Sequence, residues 1–186
     1  MTSLTNRKVA ILSTHGFEQS ELQHPVKALR DAGADVHVIA PESGEIRCWD
    51  AGDWGESVPV DHVLKDVVET DYDALVLPGG QINPDILRGN KEAVSFIQRF
   101  FDAKKPIGAI CHAPWLLVEA GAAKGRKMTS FHTIRTDVEN AGAHWVDAEV
   151  VCDQAIVTSR SPEDLDAFSA KMIEEIAEGR HMDRAA

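Results

Sequence analysis

The chain has 186 residues, 44% of them apolar, and a formal net charge of −11. That length predicts a single domain over residues 1–186, with its core at about 8–178. An acidic surface repels phosphate backbones and anionic lipid, so nucleic acid and membrane are not expected as partners, and no apolar run is long enough to span a bilayer.

The three cysteines, Cys48, Cys111 and Cys152, are odd in number and far apart. No disulfide framework is expected from them. Residues 1–8 are polar and lack the apolar stretch of a secretion signal, which predicts a cytoplasmic protein.

Short apolar runs alternate with helical patterns along the chain. Residues 9–12 form a continuous apolar strand. Leu22, Val26 and Leu29 then recur at helical spacing, and Gly33 stops that helix. Residues 36–40 are the second strand. The segment from 41 to 59 carries Gly44, Gly52, Gly55, Trp49 and Trp54, fits no crossover, and is expected to be an exposed hairpin insertion. Residues 74–77 make the third strand, closed by Pro78-Gly79-Gly80. Asn90 is placed to cap a helix with Val94, Ile97 and Phe101 inward. Pro106 opens the fourth strand, 107–110, and a helix follows Cys111 towards Ala120. Residues 155–157 are a late strand. Ser161-Pro162-Glu163-Asp164 has the order of a helix start, with Leu165, Phe168, Met172 and Ile176 as its apolar stripe. The tail after Gly179 is expected to fray. This alternation predicts an α/β fold with a mostly parallel, doubly wound sheet covered on both faces.

Ligands of open α/β sheets bind beyond the carboxyl ends of the strands. Three loops meet there: Thr14-His15-Gly16-Phe17-Glu18, Pro78-Gly79-Gly80-Gln81 and Cys111-His112-Ala113-Pro114. The last has the small residues, Ala109 and Ala113, that a nucleophile elbow needs two positions to either side. Cys111 would stand at a helix N-terminus, where a thiolate is favoured. The amides of His112, Gly79 and Gly80 are candidate oxyanion donors. Glu18 is either a capping or surface acid or the partner of the Cys111 sulfur, and Glu21 one turn on fits a capping or surface acid. His112 follows Cys111 directly, so its pairing with the thiol depends on the elbow. No spacing matches a zinc site, and Gly79-Gly80 is neither a dinucleotide nor a P-loop fingerprint, so no metal or cofactor is expected.

Gly16-Phe17-Glu18, the run from Tyr72 to Gly80, Ala109-Ile110-Cys111-His112, Gly125-Arg126-Lys127, Asn140-Ala141-Gly142, the run from Trp145 to Val151, and Thr158-Ser159-Arg160 together resemble the PfpI family of the ThiJ/PfpI superfamily. The resemblance implies a flavodoxin-like, class I glutamine amidotransferase-like fold and a homodimer or homohexamer. It implies Cys111 as nucleophile, His112 as its partner, and Glu18 as the acid on the sulfur. In hexameric members an acid after the Gly-Gly turn reaches the His of a neighbouring subunit. Asp85 stands at that place here, where Glu is usual, on a loop one residue longer. Ala113 replaces a usual Gly. Activities implied by the resemblance are thiolate attack on reactive carbonyl compounds or glycated adducts, intracellular cysteine peptidase action on protein or peptide, and redox sensing or chaperoning with little catalysis.

Overall fold

The computed structural model describes residues 2–179; the expected fraying beyond Gly179 lies outside these residues. The elements in chain order are β1 (Lys8–Leu12), β2 (Phe17–Glu18), α1 (Gln19–Asp31), β3 (Asp35–Ala40), β4 (Glu45–Asp50), β5 (Asp53–Pro59), β6 (His62–Val63) and β7 (Ala74–Leu77). There follow α2 (Ile82–Arg88), α3 (Lys91–Asp102), β8 (Ile107–Ile110), α4 (Pro114–Glu119), β9 (Lys127–Met128) and α5 (Arg135–Asn140). The last are β10 (His144–Trp145), β11 (Val151–Asp153), β12 (Ile156–Ser159) and α6 (Leu165–Glu178).

Seven strands form the central sheet in the order β11-β12-β8-β7-β1-β3-β6. All neighbours in it are parallel except the edge pair β11 and β12. Side chains of a strand alternate between faces, and both faces are buried. Val9 and Ile11 join a core completed by Leu22 and Leu29 of α1 and Phe168 and Met172 of α6. Ala10 and Leu12 join a second core with Phe96, Ile97 and Phe100 of α3 and Leu116 and Leu117 of α4. This is the doubly wound, flavodoxin-like α/β arrangement. From β1 the chain winds outward through β3 to β6, then crosses back to β7 and winds the other way through β8 to β12. The reversal lies between β1 and β7, where α/β sheets open a crevice for ligands.

Local signals set most boundaries. Asn90 caps α3, its side chain accepting from the amides of Glu92 and Ala93. The buried stripe of α3 is Ala93, Phe96, Ile97 and Phe100, centred about one residue before the expected one, so Val94 and Phe101 pack at its margin. Ser161 does not cap α6: its hydroxyl donates to Glu163, a 3₁₀ turn over Pro162–Asp164 intervenes, and the helix starts at Leu165. The expected stripe Leu165, Phe168, Met172 and Ile176 is buried. The late strand starts one residue later than expected because Gln154 and Ala155 take left-handed conformations, φ 51° and 64°.

The insertion is a hairpin. β4 and β5 pair antiparallel, with Trp49 opposite Trp54 and their rings edge to face at 5.4 Å. It is tied to the body by β2, where Phe17 pairs with Cys48 and Glu18 with Trp49. Among the described residues no helix is long and apolar enough to cross a membrane.

β8 approaches α6 closely because Gly108 has no side chain. A Cβ there would stand 2.6 Å from Met172 Sδ and 2.8 Å from Phe168 Cζ. Gly108→Ala should therefore lower stability by about 1–3 kcal/mol, read as a fall in the thermal midpoint.

Candidate active site

The three loops meet as the topology requires. Asn83, wholly buried, staples two of them: its Oδ1 accepts from the Thr14 amide at 2.8 Å and its Nδ2 donates to Pro78 O at 2.9 Å. The third loop turns sharply. Cys111 has φ 63°, a left-handed conformation that L-residues hold only where surrounding bonds over-determine it. Its amide donates to Ser159 O at 3.0 Å, and its carbonyl accepts from the Phe131 amide at 2.8 Å. Ala113 N to Ile110 O at 3.0 Å closes the turn, and Pro114 opens α4.

This turn sets Cys111 beside Gly79 and Glu21 and leaves the residue only 7% exposed. His112 Nδ1 lies 3.2 Å from Sγ. The imidazole is stacked on Phe131, centroids 4.8 Å apart, with Trp115 edge-on at 5.3 Å. Its Nε2 lies 3.4 Å from Thr133 Oγ1. Burial, and then nearby His132, lower the His112 pKa, so the ring is neutral at neutral pH and has a nitrogen able to take a proton.

The acid on the sulfur is Glu21, not Glu18. The two-residue strand β2 decides this. Phe17 points inward and is fully buried, so by alternation Glu18 points away, where its carboxylate accepts from Ser20 Oγ at 3.2 Å. The chain then becomes helical at Gln19, and Glu21 falls on the inward stripe with Leu22, Pro25 and Leu29. Glu21 is 0% exposed. Its Oε2 accepts from the Gly80 amide at 3.2 Å, its Oε1 has no hydrogen-bonding N–H or O–H among the described residues, and the carboxyl interacts with the Cys111 thiol. Burial pushes its pKa up to about 8, so at neutral pH Glu21 holds its proton beside the Cys111 thiol.

The electrostatics of Cys111 also differ from expectation. Burial first, and then Glu21, push its pKa up rather than down. The Gly80 and His112 amides oppose this by pointing at the sulfur, but α4 is only six residues long and does not outweigh desolvation. The resting thiol is therefore protonated. Gly79 and Gly80 serve by their lack of side chains: a Cβ on Gly79 would overlap Glu21 Oε2 and Cys111 Cβ, and one on Gly80 would lie 2.6 Å from Gly16 O. The Gly80 amide is shared between carboxyl and sulfur. Asp85 is exposed on α2, and no hydrogen bond joins it to His112 of its own chain among the described residues.

The arrangement is a protonated carboxyl, a thiol and a neutral imidazole packed on a strand-to-helix elbow at the switch point of an α/β sheet, which defines a cysteine-centred α/β protein. The sequence pattern of the DJ-1/PfpI family matches residues 7–175, and the chain belongs to that family. It is 45% identical over 166 residues, 89% of this chain and 97% of the other, to Deglycase TK1284 of Thermococcus kodakarensis. It is 42% identical to Protein/nucleic acid deglycase 2 of Escherichia coli, over 90% of this chain and 96% of the other. Among solved structures it resembles Drosophila melanogaster DJ-1beta, with a TM-score of 0.84 and 27% identity over 92% of this chain and 90% of that one.

Glu21 links the site to stability. Its pKa rises from 4.5 to about 8 on folding, so its contribution is fully present below pH 4.5 and is lost as pH rises through 8. Across that window the protein should lose up to roughly 1 kcal/mol per pH unit. Glu21→Gln should flatten the dependence, measured by denaturant unfolding at several pH values, and Glu18→Gln should weaken it only in part, because burial is the larger cause of the Glu21 shift and the Glu18 charge a smaller one.

Proposed function

We propose that this protein is a cysteine-dependent deglycase that attacks reactive carbonyl compounds and glycated adducts. The observation carrying this reading is the enclosed Cys111 thiol, held between the protonated Glu21 and the neutral His112. A cysteine whose residue is only 7% exposed meets a small carbonyl carbon more readily than the backbone of an extended peptide, which favours this reading over a peptidase. The names of the relatives support it as well.

In this reading His112 Nδ1 takes the thiol proton as Sγ bonds to the carbonyl carbon, and the carbonyl π pair moves to oxygen. The Glu21 carboxyl, with the Gly80 and His112 amides, stabilises the charge that develops beside the sulfur. With methylglyoxal the product is a hemithioacetal. Proton transfer from its carbon to the neighbouring carbonyl oxygen, through His112, gives an enediol; loss of the proton from the hydroxyl on the sulfur-bearing carbon and gain of a proton at the adjacent carbon then give a thioester. Water then cleaves that thioester to lactate and free thiol. The net change is addition of one water, with no external oxidant or reductant.

The setting follows the same reading: a cytoplasmic homo-oligomer. Exposed Asp85 lies beside Ile86, which is 48% exposed, and this is a face a second copy would cover.

Turnover of methylglyoxal to lactate tests the function. Cys111→Ala should reduce it to the uncatalysed background, and His112→Ala should reduce kcat/KM by about 10²–10⁴-fold. Peptide cleavage that depends on Cys111, with no turnover of methylglyoxal or of a glycated amino acid, would overturn the deglycase reading.

A further inference from the structure

His112 is the immediate chain neighbour of the cysteine it serves, so its ring has few bonds of its own to fix it. Its Nδ1 faces Sγ at 3.2 Å. For the thiol proton to move there, Nδ1 must be bare and the ring hydrogen must sit on Nε2. A second hydrogen bond at Nε2 selects between the two tautomers.

The described residues supply one such group, within the same chain. Thr133 Oγ1 lies 3.4 Å from Nε2. Thr133 sits in the 3₁₀ turn His132–Ile134, which is held by four contacts of its own and of the preceding Phe131. The Phe131 amide holds the Cys111 carbonyl at 2.8 Å, and Ile134 N closes on Phe131 O at 3.2 Å. The Phe131 ring stacks on His112 at an interplanar angle of 27°, and the Ile134 side chain is buried in the core. Trp115, edge-on to the imidazole, is fixed by its Nε1 donating to Asp137 Oδ2 at 2.7 Å and by the Arg88 guanidinium 5.1 Å from its ring. The imidazole thus packs against two rings with its far nitrogen 3.4 Å from a hydroxyl.

We propose that Thr133 is the positioning residue of His112: its hydroxyl oxygen accepts the Nε2 hydrogen and leaves Nδ1 free to take the Cys111 proton. The proton path then balances within one chain. Sγ gives its proton to Nδ1, and the resulting imidazolium keeps its Nε2 hydrogen on Thr133 Oγ1. The acid of a neighbouring subunit is not needed to set the tautomer.

This inference rests on the Cys111–His112 reading of the site, so the test is read on the thiol without any substrate. The rate of Cys111 alkylation by iodoacetamide would be followed against pH in the full chain. Nitrogen NMR of labelled histidine would report the His112 tautomer. Thr133→Val removes the hydroxyl and keeps the shape; alkylation near neutral pH should fall about two- to tenfold, the loss of one hydrogen bond, and the Nδ1–H tautomer should appear. Thr133→Ser should restore both. Wild-type alkylation and tautomer in Thr133→Val would overturn the proposal, as would a loss seen in Asp85→Asn and absent from Thr133→Val. His112→Ala separates the two readings. If it alkylates like wild type, the Cys–His pairing itself fails; if it is slowed while Thr133→Val is not, only the role of Thr133 fails.

Discussion

Everything at the site depends on one buried contact, that between the Glu21 carboxyl and the Cys111 sulfur. Neither group is comfortable there as an anion, since burial raises the pKa of both. The pocket resolves this by keeping the carboxylic acid neutral beside the sulfur. The rest of the local structure serves that contact. Gly79 has no side chain because one would displace it, and Gly80 lends it an amide. The left-handed turn at Cys111 brings the sulfur into it from the end of β8.

A neutral thiol at rest changes where reactivity comes from. A thiolate stabilised by a helix terminus would react with any electrophile that reached it. In the proposed mechanism the proton passes to the His112 nitrogen as the carbonyl is attacked, so selectivity would lie in assembling the site around a substrate. The packing of Phe131 and Trp115 against His112 belongs to the same logic. It holds the base still, and preorganised groups lose less on the way to the transition state.

Much of this was legible in the sequence. Continuous apolar strands alternating with helical stripes gave the sheet, and the small residues around Cys111 gave the elbow. The misreading of Glu18 for Glu21 has a definite physical origin. Gly16-Phe17-Glu18 carries no strand signal of its own. Only its pairing with Cys48 and Trp49, thirty-one residues on, makes it extended and turns Glu18 outward. Nonlocal pairing of this kind leaves no local pattern. Asn83 and Thr133 were missed for a related reason. Both are ordinary polar residues near turns, and their partners lie on other loops. An Asn directly before Pro84 and just past a Gly-Gly turn was the one available hint for Asn83.

The tie between the hairpin and β2 has a consequence for how far this chain can be altered. Two bridge pairs end the extended run and so decide where α1 begins. Successive residues of a helix are rotated by about 100°. If the hairpin held β2 one residue further along, the whole of α1 would turn by nearly a third of a circle relative to the crevice, and a different side chain would face the sulfur. The base of the hairpin acts as the index mark of a dial, and redesign of this insertion must keep that mark where it is.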